Sequence, residues 1–251
     1  MTSTARPWLA VDIGNTRAKW ALGDVRAWVA HGAVPTDALA HIAESLPVLA
    51  PGTRVVACCV AGSTAEAALA SACAARKLAL QWVKPVASLL GVTNGYRQPT
   101  QLGADRWAAL VAAHTDQPAH QLVVAAGTAL TIDALGADGR FLGGVIVPGT
   151  TLMRRALAHG TAGLRPTGGQ VALLPDNTND AIATGAVIAA CGAVDRMRET
   201  MREVGTPAAR LLLTGGGAAE LAPWLTPAPT LREHLVLDGL ARIAATLPWP
   251  A

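Results

Sequence analysis

Apolar residues follow two rhythms along this chain. Compact runs of Val, Leu, Ile and Ala, closed off by Gly, Asp, Asn or Pro, predict buried strands; Ala-rich stretches with apolar residues three and four positions apart predict helices. On this basis residues 8–11, 17–23 and 25–30 form a meander of strands, and "TDALAHIAESL" from Thr36 forms a capped helix. "RVVACCV" from Arg54 reads as a buried strand. "STAEAALASACAARK" then reads as a helix, with Ser63 and Glu66 at capping-box spacing. "LQWVK" adds a strand, and after a loop containing Asn94 and Gly95 the segment "GADRWAALVAAHT" starts a helix at about Asp105.

A second cycle opens near residue 121. "QLVVAAGTALTIDAL" is strand, glycine turn, strand; "GADGRFLGGVIVPG" gives a third strand before the helix "TLMRRALAHG". Residues 177–204 are helical by pattern, "RLLLTGGG" is a strand ending in a glycine turn, and "EHLVLDGLARIAATL" is a closing helix. The stretches "VDIGNTRAKWAL" and "VAAGTALTIDAL" match in plan, with Gly14 and Gly127 about half the chain apart. A duplicated α/β fold follows. Its boundary is expected in the polar stretch "HTDQPAHQ", giving domains 1–116 and 117–251.

Composition narrows the function. With 51% hydrophobic and 15% charged residues in 251, the chain buries a sizeable core, and its formal net charge of +3 is scattered, so nucleic acid is not an expected partner. Cys58, Cys59, Cys73 and Cys191 have no metal-ligand spacing and read as reduced thiols. The six histidines are dispersed, without a metal pattern or a nucleophile partner. "MTSTARPW" leads into the first strand without the pattern of a secretory signal, and no apolar run reaches the roughly 18 residues of a membrane span. A cytoplasmic, soluble protein is expected.

The glycine turns carry the chemistry. Glycine lets backbone approach a bulky anion, successive N–H groups and short hydroxyl or amide side chains donate to its oxygens, and a nearby acid can hold Mg²⁺. Taken alone, "DIGNT" reads better as an ordinary hairpin turn with Asp and Asn supplying the turn chemistry. Its repetition as "AAGTALTID" favours a polyphosphate gripped from two sides. No Walker sequence or dinucleotide fingerprint occurs.

"DIGNT" at Asp12, "NGY" at Asn94, "GADR" at Gly103, "GTALTID" at Gly127, "GGVIVPG" at Gly143, "NTNDAIATG" at Asn177 and "TGGG" at Thr214 occur in the order seen in type III pantothenate kinases. This ordered set resembles that family over nearly the whole chain. The resemblance implies two RNase-H-like, actin-like ATPase domains with a nucleotide cleft between them, a homodimer, and ATP-dependent phosphorylation of pantothenate, the first step toward coenzyme A.

By the same resemblance Asp12, Ile13, Gly14, Asn15, Thr16, Arg17, Ala18 and Lys19 form the first phosphate loop for Mg-ATP, with Asp12 near the Mg²⁺. Thr128 is the hydroxyl donor of the second loop, and Gly215 to Gly217 are the adenosine-side turn. Gly103, Ala104, Asp105 and Arg106 line the acceptor, with Asp105 as catalytic base; Tyr96 and Thr178 are pantothenate contacts, some supplied by a second subunit. On local signals alone, Asp105 and Thr178 read as helix-terminal residues and Arg106 as solvated. The family's second loop begins with an aspartate, D-x-G-T-A, associated with a bound K⁺ or NH₄⁺; this chain has Ala125 there. The alternatives are an actin-like phosphotransferase with another acceptor, or a kinase-like accessory factor for transcription.

Overall fold

The computed structural model describes residues 8–161 and 168–249. It divides into two compact units, 1–116 with 235–251, and 117–234.

The first unit holds β1 (Trp8–Ile13), β2 (Arg17–Gly23), β3 (Trp28–Pro35), α1 (Ile42–Ser45), β4 (Arg54–Cys59), α2 (Ser63–Ala75), β5 (Ala79–Trp82), the short pair β6 (Ser88–Leu89) and β7 (Val92–Thr93), and α3 (Ala104–Asp116). The second holds β8 (Gln121–Ala126), β9 (Ala129–Leu135), β10 (Phe141–Pro148), α4 (Thr150–Gly160), α5 (Thr178–Glu203), β11 (Arg210–Thr214), α6 (Ala218–Leu221) and β12 (Thr230–Leu231). α7 (Leu235–Ala244) belongs to the first unit.

The two sheets have the same plan. Strand orders are β3-β2-β1-β4-β5 and β10-β9-β8-β11-β12; in each, the first three strands form an antiparallel meander and the later two join in parallel. That is the duplication expected from the glycine turns. Each sheet buries its own core, centred on Leu9, Val11, Ile13 and Val55 in one unit and on Leu122, Val124, Ile132 and Leu213 in the other.

Three details differ from the expectations. The segment from Thr36 is a 3-10 turn, Thr36–His41, followed by the single α-turn α1, and Thr36 caps nothing: its hydroxyl donates to Gly14 O at 2.7 Å. β3 starts at Trp28, because Asp24 closes the preceding turn by accepting from the Arg26 amide at 2.8 Å. α2 has no capping box, since its N-cap is Gly62 at φ 91° and Ser63 is already helical.

The sequence reading also gives all of 117–251 to one domain, whereas α7 packs with α3, β1 and β4 of the first unit. The reason is a close fit between two small-residue surfaces. α3 buries nearly every residue from Arg106 to Ala113, and α7 buries Leu235, Leu237, Gly239, Leu240, Ala241, Ile243 and Ala244. Helices apolar on so many sides can only be interior. Polar bonds finish the seam: Trp28 Nε1 donates to Asp238 Oδ1 at 2.9 Å, and Arg242 donates to Ala112 O and pairs with Asp116.

Candidate active site

In the first unit several of the candidate side chains lie where β1 ends. Asp12 lies in register with Lys19 on β2 and Cys58 on β4, so all three share one face of the sheet. The Cys58 thiol is pushed well up by burial, stays protonated, and donates to Asp12 Oδ1 at 3.4 Å. Burial raises the Asp12 carboxyl from 3.8 to about 6; the charge of Asp105 adds to this, and Cys58 and Lys19 oppose it. Asp12 and Asp105 are therefore electrostatic neighbours.

The "DIGNT" turn itself is a hairpin, closed by Gly14 N–H on Arg17 O at 3.1 Å, with Asn15, Thr16 and Arg17 exposed at its tip. Ile13 and Ala18 are buried beneath it, and Lys19 is half-buried. Thr36 holds the turn from the side, donating its hydroxyl to Gly14 O and its amide to Thr16 O at 3.0 Å. Sequence reasoning missed Thr36 and Cys58. Thr36 carries one local signal, its place directly after a strand; Cys58 faces Asp12 only through the pairing of β1 with β4, which no local pattern shows.

The "GADR" segment opens α3. Asp105 Oδ1 accepts from the Arg106 amide at 2.8 Å, so the carboxylate folds back on the helix N-terminus, where the dipole favours its charge. Burial still raises its pKa as the larger effect. Gly103 is what makes room: a Cβ there would lie 2.5 Å from Asp105 Oδ1. Ala104 is buried as the first helical residue. Arg106 is buried rather than solvated, at 6% exposure, and donates from Nη1 to the Tyr96 hydroxyl at 3.1 Å with its guanidinium over the Tyr96 ring. Tyr96 is held in turn, its amide donating to Asn94 Oδ1 at 3.1 Å. The structure thus brings Asp12, Tyr96, Asp105 and Arg106 into the same unit.

The remaining predicted residues lie in the second unit. Thr128 is exposed at the tip of the β8–β9 hairpin, and its carbonyl accepts from Gly149 N–H at 2.9 Å. The Gly215–Gly217 turn lies against the end of β8, with Gly217 N–H donating to Ala126 O at 2.9 Å. Thr178 is the first helical residue of α5 and exposed; the cap is Asn177, which accepts from the Asp180 amide at 3.0 Å. Ala125 is paired with Thr131 and Thr214 across the sheet, and its methyl group offers no oxygen to a cation.

Two α/β units of one topology, each with a glycine hairpin at the end of its first strand, define the actin-like fold. A solved structure described as a 2-dehydro-3-deoxygalactonokinase protein from Sinorhizobium meliloti superposes with TM-score 0.58 at 16% identity, over 97% of this chain and 100% of the other. One described as a Baf family transcriptional activator from Campylobacter jejuni gives 0.62 at 21%, over 95% and 100%. The sequence profile of type III pantothenate kinases matches residues 8–200. A type III pantothenate kinase of Methylibium petroleiphilum is 44% identical over 251 residues, spanning 94% of this chain and 98% of the relative. Another, from Acidovorax ebreus, is 42% identical over 248 residues, spanning 95% and 96%. The chain belongs to the type III pantothenate kinase family.

Proposed function

We propose that this protein transfers the γ-phosphoryl group of ATP to the primary hydroxyl of pantothenate. The observation that carries the reading is Asp105: a carboxylate seated by Gly103 at a helix start, with the buried Arg106 next to it. As the hydroxyl oxygen attacks the γ-phosphorus, its proton passes to Asp105 and the bond to ADP breaks. Arg106, fixed by Tyr96, presents a planar donor fork to the acceptor or the moving phosphoryl group. An accessory factor for transcription would have no use for this acid and fork together. Purified protein with pantothenate and Mg-ATP should yield 4′-phosphopantothenate by mass spectrometry; no product under any cation condition would remove the reading.

Asp12 suits Mg²⁺. A divalent ion relieves both influences that raise its pKa, and its other ligands would be nucleotide phosphates and water. Among the described residues no group of three or more His, Cys, Asp or Glu side chains is placed to hold a metal, which fits an ion that arrives with ATP. When bound, it neutralises charge on the transferring phosphates. The sign of the pH effect follows. Folded Asp12 binds its proton more tightly than the unfolded chain does, so the unliganded protein loses stability as pH rises from about 4 to about 6. Mg-ATP needs Asp12 ionised, so its thermal stabilisation should grow over pH 5 to 7 and then level off. In Asp12→Asn that growth should vanish; a wild-type increment flat in pH would separate Asp12 from the metal.

K⁺ or NH₄⁺ does not fit at Ala125, and no step is assigned to such an ion. Replacing K⁺ by tetramethylammonium at constant ionic strength should leave the rate nearly unchanged, and Ala125→Asp should introduce a K⁺ requirement. Loss of nearly all wild-type activity without K⁺ would show that the ion has other ligands. A homodimer belongs to the same proposal, supported by exposed Ile146, Leu152, Leu157 and Ile188 on β10, α4 and α5; light scattering should give the mass of two chains, and a single-chain mass at micromolar concentration would refute it. Cytoplasmic residence is supported by four free thiols. No described helix is long and apolar enough to cross a membrane.

A further inference from the structure

The second unit contains an ion pair, Arg154–Glu220, that joins separate elements. Arg196–Glu203 and Arg202–Glu199 join residues of one helix, and their side chains are largely exposed. Glu220 instead joins three elements. One of its oxygens accepts from Thr150 Oγ1 at 2.7 Å, the other from Arg154 Nη2, and Arg154 also donates to Ala183 O of α5 at 3.3 Å. Arg154 and Glu220 side chains are 26% and 29% exposed, so solvent screens them less than Arg196–Glu203 and Arg202–Glu199.

What these bonds fasten gives them a role. α6 is a single turn of four residues, too short to be stable by its own hydrogen bonds. It begins directly after Gly215–Gly217, and that turn is pressed on the end of β8: Gly215 has φ 96°, and a Cβ on it would stand 2.3 Å from Ala126 O. At the other end of the network, Thr150 starts α4 immediately after Gly149. The Gly149 amide donates to Thr128 O, and a Cβ at Gly149 would meet Gly127 O at 2.1 Å. Glu220 therefore closes a ring that runs from the second loop through Gly149 and Thr150 to α6, the glycine turn and back to β8.

We propose that Glu220 is a positioning residue for the nucleotide, holding the Gly215–Gly217 turn at a fixed distance from the second loop so that one ATP meets both. This rests on reading that turn as the adenosine-side wall and the second loop as a phosphate contact. Leu221, at 1% exposure, anchors α6 independently, so the helix survives loss of its neighbour's carboxylate.

The test measures affinity for a fluorescent ATP analogue directly, beside the separate KM values. Glu220→Ala should weaken analogue binding and raise the ATP KM by about tenfold, the value of one lost charge-assisted bond, with the pantothenate KM and kcat changed less than about twofold. Glu220→Gln, which keeps an acceptor and a hydrogen-bonding partner for both neighbours, should recover most of the affinity. If Glu220→Ala fails to fold, Thr150→Val removes one bond alone and should weaken the analogue about threefold. Analogue affinity at the wild-type level in these variants, or equal changes in both KM values, overturns the proposal. Gly216→Val separates it from the reading beneath: a Cβ there meets nothing within 4 Å and points into open space, so the branched side chain should block a bound nucleoside. Unchanged binding in Gly216→Val overturns the adenosine-side reading; weakened binding there with unaffected Glu220→Ala overturns the positioning role alone.

Discussion

Asp105→Asn lowers kcat by roughly 10²–10⁴, the usual contribution of a placed general base, while the fold and ATP affinity stay close to wild type. The amide keeps the shape and can still accept from the Arg106 amide, so the change isolates proton acceptance from helix capping. Gly103→Ala should give the same kinetic signature while keeping the acid itself. Its new methyl group would stand 2.5 Å from Asp105 Oδ1, and the end of a side chain yields before backbone does. A displacement of about 1 Å at the reacting group costs on the order of 10²-fold. Steady-state kinetics with circular dichroism decide both. Wild-type turnover in Asp105→Asn would demote Asp105 to a helix-terminal residue.

The largest expected effect on stability is at Gly239. A Cβ on this residue would sit 1.9 Å from Ala108 O and 2.5 Å from Ala108 C, both backbone atoms of α3. Neither can move without separating the two helices that close the first unit. Gly239→Ala should therefore cost about 3 kcal/mol, the upper end for overpacking, and lower Tm by roughly 6–12 °C in a chain of this size. The gain in helix propensity, about 1 kcal/mol, does not offset it. Differential scanning calorimetry measures the loss; a Tm within 2 °C of wild type would mean that α7 does not lie on α3 as described.

Why the sheets were legible and some of the site was not comes down to which signals are local. Strand and turn patterns at Trp8–Ile13 and Gln121–Ala126 depend on neighbours in sequence, and the repeated glycine turn marks the duplication by itself. α7 shows the opposite case. Its apolar pattern predicts a helix but not a partner, and the fit of Gly239 to Ala108 is a tertiary contact that no window of sequence contains. Arg106 looked like a solvated first-turn residue because its partner Tyr96 lies in a separate loop. Cys58 looked like core filling for the same reason, as its relation to Asp12 exists only through the parallel register of β1 and β4. Ser63 misled in the other direction: the spacing of a capping box was present, but Gly62 had already turned the chain.

The return of α7 to the first unit has a consequence for how the protein is made. Residues 117–234 form a continuous unit whose strands have all left the ribosome before Leu235 appears, so it can close its sheet during synthesis. The first unit cannot. Until residues 235–244 emerge, the α7-facing side of α3 lacks the partner that covers it, and the surface shaped for Gly239 stays open. The unit that carries Asp12 and Asp105 is thus begun before the second unit and completed after it, and its half-built core stays uncovered while the second unit is made.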